Sequence, residues 1–361
     1  MKLKSNLYAL PAGQGDCLIF QFQNKKGEYY HILIDGGNRT KVEFKKLKKI
    51  ILEILNKAKR KVIDLAIITH SDDDHISGIL NMLDDQDMNP LIEKIWFNSE
   101  KTINEFFKTE NKNTQNYKVH KKSPNRTVKS SRIQDNDLYD LLMNDKRWEK
   151  DIIYTNKKED IENLTLTVLS PTIEKLEKLN QHWPTQKARV VKSSSKGGFD
   201  YSISYEEYIK NMPDFIEDTS PVNGASIALL LEWESKKILL LSDAHPSVIV
   251  ESLSQIIGTK DFIEVDVVKI SHHGSRRNTS DELLQIIKSN HFIISANANK
   301  KHFHPNKETL CRIIKNKGLE DTKFYFTCEN NDLRNIFINE PFVKVVFPSN
   351  REHGVCFSYE Y

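Results

Sequence analysis

Apolar positions along this 361-residue chain fall into two patterns. Short runs rich in Val, Ile, Leu and Phe predict strands near 5–10, 17–23, 30–35, 62–68, 93–98 and 164–169, and again near 226–233, 237–242, 265–270, 292–296 and 323–328. Between them, apolar residues recur at helical spacing. Phe44, Leu47, Ile51, Ile54 and Leu55 form a stripe through the lysine-rich segment 41–60. Further helices are predicted over 76–84, 246–257, 280–288 and 305–316. The alternation predicts an α/β chain with mixed strand order, its strands clustered in two halves. It is read as one domain, 1–361, with polar insertions at about 100–160 and 171–222 and a strand-rich extension over 321–361. The run Ser193–Gly198 looks like a flexible turn.

Charge adds little at the level of the whole chain. Fifty-three basic and 50 acidic residues leave a net +3, too small to steer nucleic acid by itself. One local stretch differs: between Lys101 and Arg147, Lys121, Lys122, Arg126 and other basic residues alternate with Phe106, Phe107, Tyr117 and Tyr139. Basic residues interleaved with aromatics suit a nucleic-acid strand; a solvated Lys/Asn-rich insertion is the bland alternative. No apolar run reaches the roughly 18–20 residues of a spanning helix, and the start of the chain has no signal-peptide core, so a cytoplasmic protein without a membrane segment is expected. Cys17, Cys311, Cys328 and Cys356 form no C-x-x-C pair and are expected to be reduced, buried thiols.

The chemistry concentrates in Thr69-His-Ser-Asp-Asp-Asp-His-Ile-Ser-Gly78, directly after an apolar run. His70, Asp72, Asp74 and His75 put four metal-competent side chains at one strand end, too many for one closed tetrahedral site that also does chemistry. Alternate residues on an extended loop point to opposite sides, so His70 and Asp72 are assigned to one metal and Asp74 and His75 to a second. Asp73 is read as an ordinary helix-start aspartate. Asp243 ends a Leu/Ile strand, where a carboxylate would be costly without a cation or hydrogen-bond network. His272 and His273 end another apolar strand. His304 precedes Pro305, which is expected to open a helix at its first position.

These segments resemble the metallo-β-lactamase superfamily, whose signature is written T-H-x-H-x-D-H-x-G. Asp72 stands where most members have a second histidine, and this form is similar to the hydrolase domain of ComEC-type competence proteins and to secreted phosphorylcholine esterases. Leu10–Phe20 resembles the V-G-Q-G-D opening of that subgroup, and Ile32–Gly37 its second strand with a turn aspartate. Asn223–Leu231, Lys237–Asp243, Val267–Ser275 and His304-Pro305 complete the series in family order. The channel helices of ComEC are absent.

The resemblance implies a four-layer αβ/βα sandwich of two mixed sheets flanked by helices. It also implies a metal set of His70, Asp72, Asp74, His75, Asp243, His273 and His304, with Asp243 bridging two divalent ions. One of His272 and His273 is expected as a ligand and the other to hydrogen-bond substrate or a group behind the ligands; His273 is taken as the ligand and His272, with Asp74, as catalytic. The histidine that usually precedes the bridging aspartate is missing. Asn223 and Ser226 occupy that region and, with Ser275, are assigned to substrate, as are Lys121, Lys122 and Arg126. The extra carboxylate makes the site harder, suiting Mn²⁺ or Mg²⁺ alongside Zn²⁺. The implied activity is a two-metal phosphodiesterase or nuclease acting on DNA or RNA. Standalone domains of this kind are similar to components of bacterial defence operons, which implies a protein partner from the same operon. The alternatives are a partner-gated effector or binding subunit, or a hydrolase of a small phosphoester or lactone. Oligomeric state is not readable from the sequence.

Overall fold

The computed structural model describes residues 2–37, 40–108, 131–182 and 198–361. Their strands, numbered in chain order, build two mixed sheets. The first holds β1 (Lys4–Ala9), β2 (Leu18–Gln23), β3 (Tyr29–Ile34), β4 (Leu65–Ile68), β5 (Ile95–Phe97) and β6 (Trp148–Glu149), and β17 (Val355–Glu360) pairs antiparallel with β1 at its edge. The second holds β7 (Lys158–Ile161), β8 (Leu164–Ser170), β9 (Ala228–Trp233), β10 (Lys236–Leu240), β12 (Val267–Lys269), β14 (His291–Ile294), β15 (Lys323–Phe326) and β16 (Lys344–Val346). Its spatial order is β16-β15-β14-β12-β10-β9-β8-β7. β11 (Ile263–Glu264) and β13 (Ile287–Lys288) form a separate two-stranded pair.

The central strands are largely apolar because successive residues enter different cores. In β4, Leu65 and Ile67 join the cluster between the sheets, where Phe20, Phe22 and Trp96 meet Leu229, Leu231 and Trp233. Ala66 and Ile68 face the other way, onto helices Lys41–Asn56 and Asp73–Asp84. The second sheet repeats this arrangement beneath helices Pro246–Ile257, Asp281–Ile286 and Lys307–Lys317. The result is the helix–sheet–sheet–helix order of a metallo-β-lactamase-like sandwich. Among the described residues, no helix is long and apolar enough to cross a membrane.

Several boundaries differ from expectation. The helix expected from 76 begins at Asp73, so Asp74 and His75 lie in its first turn and Asp72 at its N-cap. Pro305 does not open a helix: it follows a cis bond to His304, and the helix starts at Lys307 with Asn306 as N-cap. Among the described residues, both insertions carry regular elements despite their polarity; the turn expected over 193–198 lies, as far as residue 197, outside them. The first contributes helices Glu100–Phe106 and Ser131–Leu142 and an edge strand to each sheet, β6 and β7; the second contributes helices Ile173–His182 and Tyr205–Lys210. Cys17 and Cys311 are buried free thiols, whereas Cys356 is exposed on β17.

β3 and β4 run parallel, as do β10, β12 and β14. Their carboxyl ends therefore open toward one edge of the sandwich, the usual place for a site in open α/β sheets. Asp35, Thr69–His75, Ser242–Asp243, Ser271–Gly274 and Ser295–His304 all leave strands there.

Candidate metal centre

Asp243 is the hub of this edge. It is 2% exposed, and its two carboxylate oxygens face two different sets of imidazoles. Oδ1 lies 3.4 Å from His75 Nε2 and 3.6 Å from His273 Nε2. Oδ2 lies 3.7 Å from both His70 Nε2 and His272 Nε2. Asp74 joins the first set, its Oδ2 3.4 Å from His273 Nε2, and Asp72 the second, its Oδ2 3.7 Å from His70 Nε2.

All four rings expose Nε2 because their other nitrogen is committed. His75 Nδ1 donates to Asp35 Oδ2 at 2.7 Å, His273 Nδ1 to the Ser295 carbonyl at 2.8 Å, and His272 Nδ1 to Asn278 Oδ1 at 3.0 Å. For His70 the tautomer follows from hydrogen accounting. The Thr69 hydroxyl proton goes to Asp35 Oδ2, and Ser242 Oγ donates to Thr69 Oγ1, so Thr69 can only accept from His70 Nδ1, 3.0 Å away. Ser226 Oγ lies 3.1 Å from the same nitrogen. Fixing Nδ1 on an oxygen acceptor is the usual way to aim Nε2 at a metal.

Backbone conformation completes the aim. His272 and His273 are both left-handed, at φ 46° and 55°, a costly state for two consecutive non-glycine residues. That turn brings both rings to the same carboxylate. Asp35 (φ 58°) and Ser242 (φ 47°) adopt the same region at their strand ends.

The donor set fits a divalent cation. His70 Nε2 and Asp243 Oδ1 are buried with no hydrogen-bond partner, a state that a coordinated cation would relieve. Asp16, His75, Asp243 and His273 each offer a donor atom within 4.8 Å of the others. Asp16 stands behind the ring of His273, its Oδ1 3.6 Å from Nδ1, and its other oxygen is ion-paired with the fully buried Lys269. We therefore place Asp16 as support for His273.

Charges are strongly coupled here. Burial works against ionisation of His75, but Asp243 and Asp35 raise its pKa well above the usual histidine value. Burial also opposes protonation of His272, yet Asp243 and Asp218 push it up to about 9. Burial and then the His75 charge bring His70 down to about 4. Asp72 is raised to about 6 by burial and then by Asp74. Asp74 is held below the usual carboxylate range, because His273 and His75 outweigh its burial.

Of the residues expected from the sequence, His70, Asp72, Asp74, His75, Asp243, His272 and His273 come together. His272 aims at Asp243 as directly as His273 does, on the side of His70 and Asp72. His304 stands one step out. Its ring packs edge-on against His272 at 5.0 Å, its Nδ1 is buried and unpartnered, and with His302 it lines the cleft over the centre. Ser226 is fully buried behind His70, also accepting from the Asp243 amide at 3.3 Å. Ser275 is buried, and its hydroxyl accepts from the Arg277 amide at 3.3 Å. Asn223 donates to Asp218 Oδ2 at 2.6 Å, and that oxygen lies 3.6 Å from His272 Nδ1. None of these three is among the residues lining the cleft; the contacts they make lie behind the centre. Lys121, Lys122 and Arg126 lie outside the described residues.

The sequence reading noted Gln14, Asp16 and Asp35 only as members of motifs and gave them no role, and it missed Asp218, Asn278 and His302. Asp35 carried a usable signal: like Asp243, it is a carboxylate ending an apolar strand.

No protein-family model matches the chain. ComE operon protein 3 of Bacillus subtilis (strain 168) is 29% identical over 93 residues, 26% of this chain and 12% of that protein, a distant relationship. The chain thus matches only a small part of that relative's length. Among solved structures, the metallo-β-lactamase-fold protein YhfI of Bacillus subtilis aligns over 100% of both chains at 11% identity and a TM-score of 0.41. CmlA, a diiron β-hydroxylase from Streptomyces venezuelae, aligns over 99% of this chain and 54% of its own at 8% identity and a TM-score of 0.41. A long-form RNase Z from yeast aligns over 82% of this chain and 37% of its own, at 11% identity and a TM-score of 0.36. Similarities of this degree assign no activity.

Proposed function

We propose that the protein is a metal-dependent hydrolase, specifically a two-metal phosphodiesterase cleaving DNA or RNA. One observation carries this reading: each oxygen of Asp243 faces its own pair of Nε2 atoms, with one further aspartate on each side. Such a set would hold two Zn²⁺ or Mn²⁺ ions, with Mg²⁺ also suited to its carboxylates. When bound, they would lower the pKa of water toward ~7 and neutralise charge developing on phosphoryl oxygens.

Three carboxylates against two divalent ions leave about one positive charge, close to neutral once a hydroxide binds, so the centre would not repel an anionic phosphodiester. Among the described residues, the cleft wall contains no lysine or arginine; Gln14, Asn297, Asn299, His302 and His304 line it together with the aspartates. The phosphodiester would therefore be held at the centre, while these amides and imidazoles hydrogen-bond the neutral sugar and base. Asp74, held ionised, would orient the attacking group. Lys121, Lys122 and Arg126 are proposed to contact phosphates of the strand.

The test is cleavage of labelled single- and double-stranded DNA and RNA with Mn²⁺, Mg²⁺ or Zn²⁺, beside Asp74→Ala. Cutting that disappears in the variant is expected. Neutralising Lys121, Lys122 and Arg126 together should weaken binding and reduce the log–log salt slope by roughly 2 to 3. Absence of cutting while metal is demonstrably bound would overturn the nuclease reading in favour of a small phosphoester substrate or a partner-gated effector.

A further inference from the structure

Asp72 raises a geometric problem that a histidine at the same place would not. A ring presents one Nε2 once its Nδ1 is fixed, whereas a carboxylate has two equivalent oxygens and turns about its last torsion. Asp72 also sits at the N-cap of helix Asp73–Asp84, with extended backbone (φ −70°, ψ 145°), where an aspartate ordinarily bonds the free amides of the first turn. It makes no such cap bond. Its Oδ1 instead accepts a short hydrogen bond from Ser131 Oγ, leaving Oδ2 turned toward His70.

Ser131 does not act alone. Residues 131, 134 and 135 share one face of helix Ser131–Leu142, and all three grip the segment that carries the aspartates. Gln134 donates to Asp73 Oδ1 and Ser77 Oγ. Asp135 accepts from Ser71 Oγ at 2.7 Å and from the Glu100 amide at 3.0 Å. Gln134 and Asp135 are fully buried. The grip is thus built into the fold, and it reaches every residue from 71 to 73.

We propose that Ser131 is a positioning residue for the metal centre: it withdraws the Asp72 carboxylate from the helix cap and presents Oδ2 beside His70. The proposal rests on the metal-centre reading above. It assigns a task to the first insertion, whose helix supplies the hydroxyl that an aspartate at this position requires.

The experiment is a calorimetric titration of the metal-free protein with Mn²⁺ alone, so no substrate is needed. Wild type should show two binding events. Ser131→Ala should weaken one of them about 10- to 100-fold and leave the other within about twofold, with Ser131→Thr restoring the loss. Asp72→Ala should weaken the same event, and adding Ser131→Ala to it should cost nothing further, because the hydroxyl acts through that carboxylate. A purely structural role for Ser131 would instead weaken both events, or add its full loss in the Asp72→Ala background; either result overturns the proposal. So do unchanged affinities in Ser131→Ala. If wild type binds no Mn²⁺, the metal-centre reading itself fails and takes this one with it.

Discussion

Asp35 and His75 meet at 2.7 Å with neither side chain exposed to solvent, and the same carboxylate also holds the Thr69 amide at 2.8 Å and the Thr69 hydroxyl at 2.7 Å. Three donors on two oxygens leave no room for an amide. In Asp35→Asn the NH₂ group must face either the Thr69 amide or the His75 Nδ1–H. The second choice forces His75 to move its proton to Nε2, the atom aimed at Asp243. Asparagine tolerates the left-handed backbone at this position, so the substitution isolates the hydrogen bonding. Metal affinity should fall about 10- to 100-fold, read by titration with Mn²⁺; affinity unchanged would show that Asp35 does not set the His75 tautomer.

Protons and metal compete for the same nitrogens. His75 is held well above the usual histidine range and His272 at about 9, so binding must release their protons near neutral pH. Affinity should therefore tighten as pH rises from 6 to 9. The sign is opposite for the metal-free fold. A histidine whose folded pKa lies above its unfolded value near 6.5 stabilises fully below 6.5, and that contribution is lost as pH rises through 9. Titration in two buffers of different ionisation enthalpy counts the protons released. A count of zero at pH 7 would contradict this account.

The part of the centre legible in the sequence is the part packed into few residues. His70, Asp72, Asp74 and His75 stand out because four ligand types crowd one strand end, and Asp243 because a carboxylate closes a Leu/Ile strand. The direction of His272 was not legible. It depends on two consecutive left-handed residues, and on Asp218 and Asn278, which reach it from separate loops. For the fold, strands apolar on both faces were legible as such, since each residue enters a core. β6 and β7 were not, being short edge strands with polar positions, and the pairing of β17 with β1 joins opposite ends of the chain.

Gly36 and Gly78 set how closely the Asp35 turn approaches the helix that carries His75. A Cβ on Gly78 would lie 1.7 Å from the Gly36 carbonyl oxygen, and one on Gly36 would lie 2.4 Å from the Ile79 amide nitrogen. Two backbone bonds of 3.0 Å fasten the contact, Gly36 N–H to the His75 carbonyl and Gly78 N–H to the Gly37 carbonyl. With backbone on both sides, nothing flexible can yield. Gly78→Ala should destabilise by about 3 kcal/mol, measured by urea denaturation, and should weaken metal binding as Asp35 is pushed from His75. A loss below about 0.5 kcal/mol, the range of neutral surface substitutions, would mean that the helix shifts freely.

His31 lies away from the centre, and its surroundings require a neutral ring. It is fully buried on β3; Nδ1 donates to the Val62 carbonyl at 2.8 Å and Nε2 accepts from the Gln21 side-chain amide at 3.0 Å. A proton on Nε2 would face that donor. Burial, with a smaller contribution from Arg60, brings its pKa down to about 4. The unfolded chain therefore takes up a proton near 6.5 that the folded one refuses. The stability this histidine supports is complete above 6.5 and drains away as pH falls toward 4, by about 3 kcal/mol in all. His31→Gln has no proton to gain there. Urea midpoints of wild type and His31→Gln at pH 7.5 and 4.5 separate this group from every other carboxylate and histidine, because only the difference between the proteins is read. The wild type should lose about 2.5 kcal/mol more than the variant over that interval; equal losses would show that the buried ring takes up its proton at little cost.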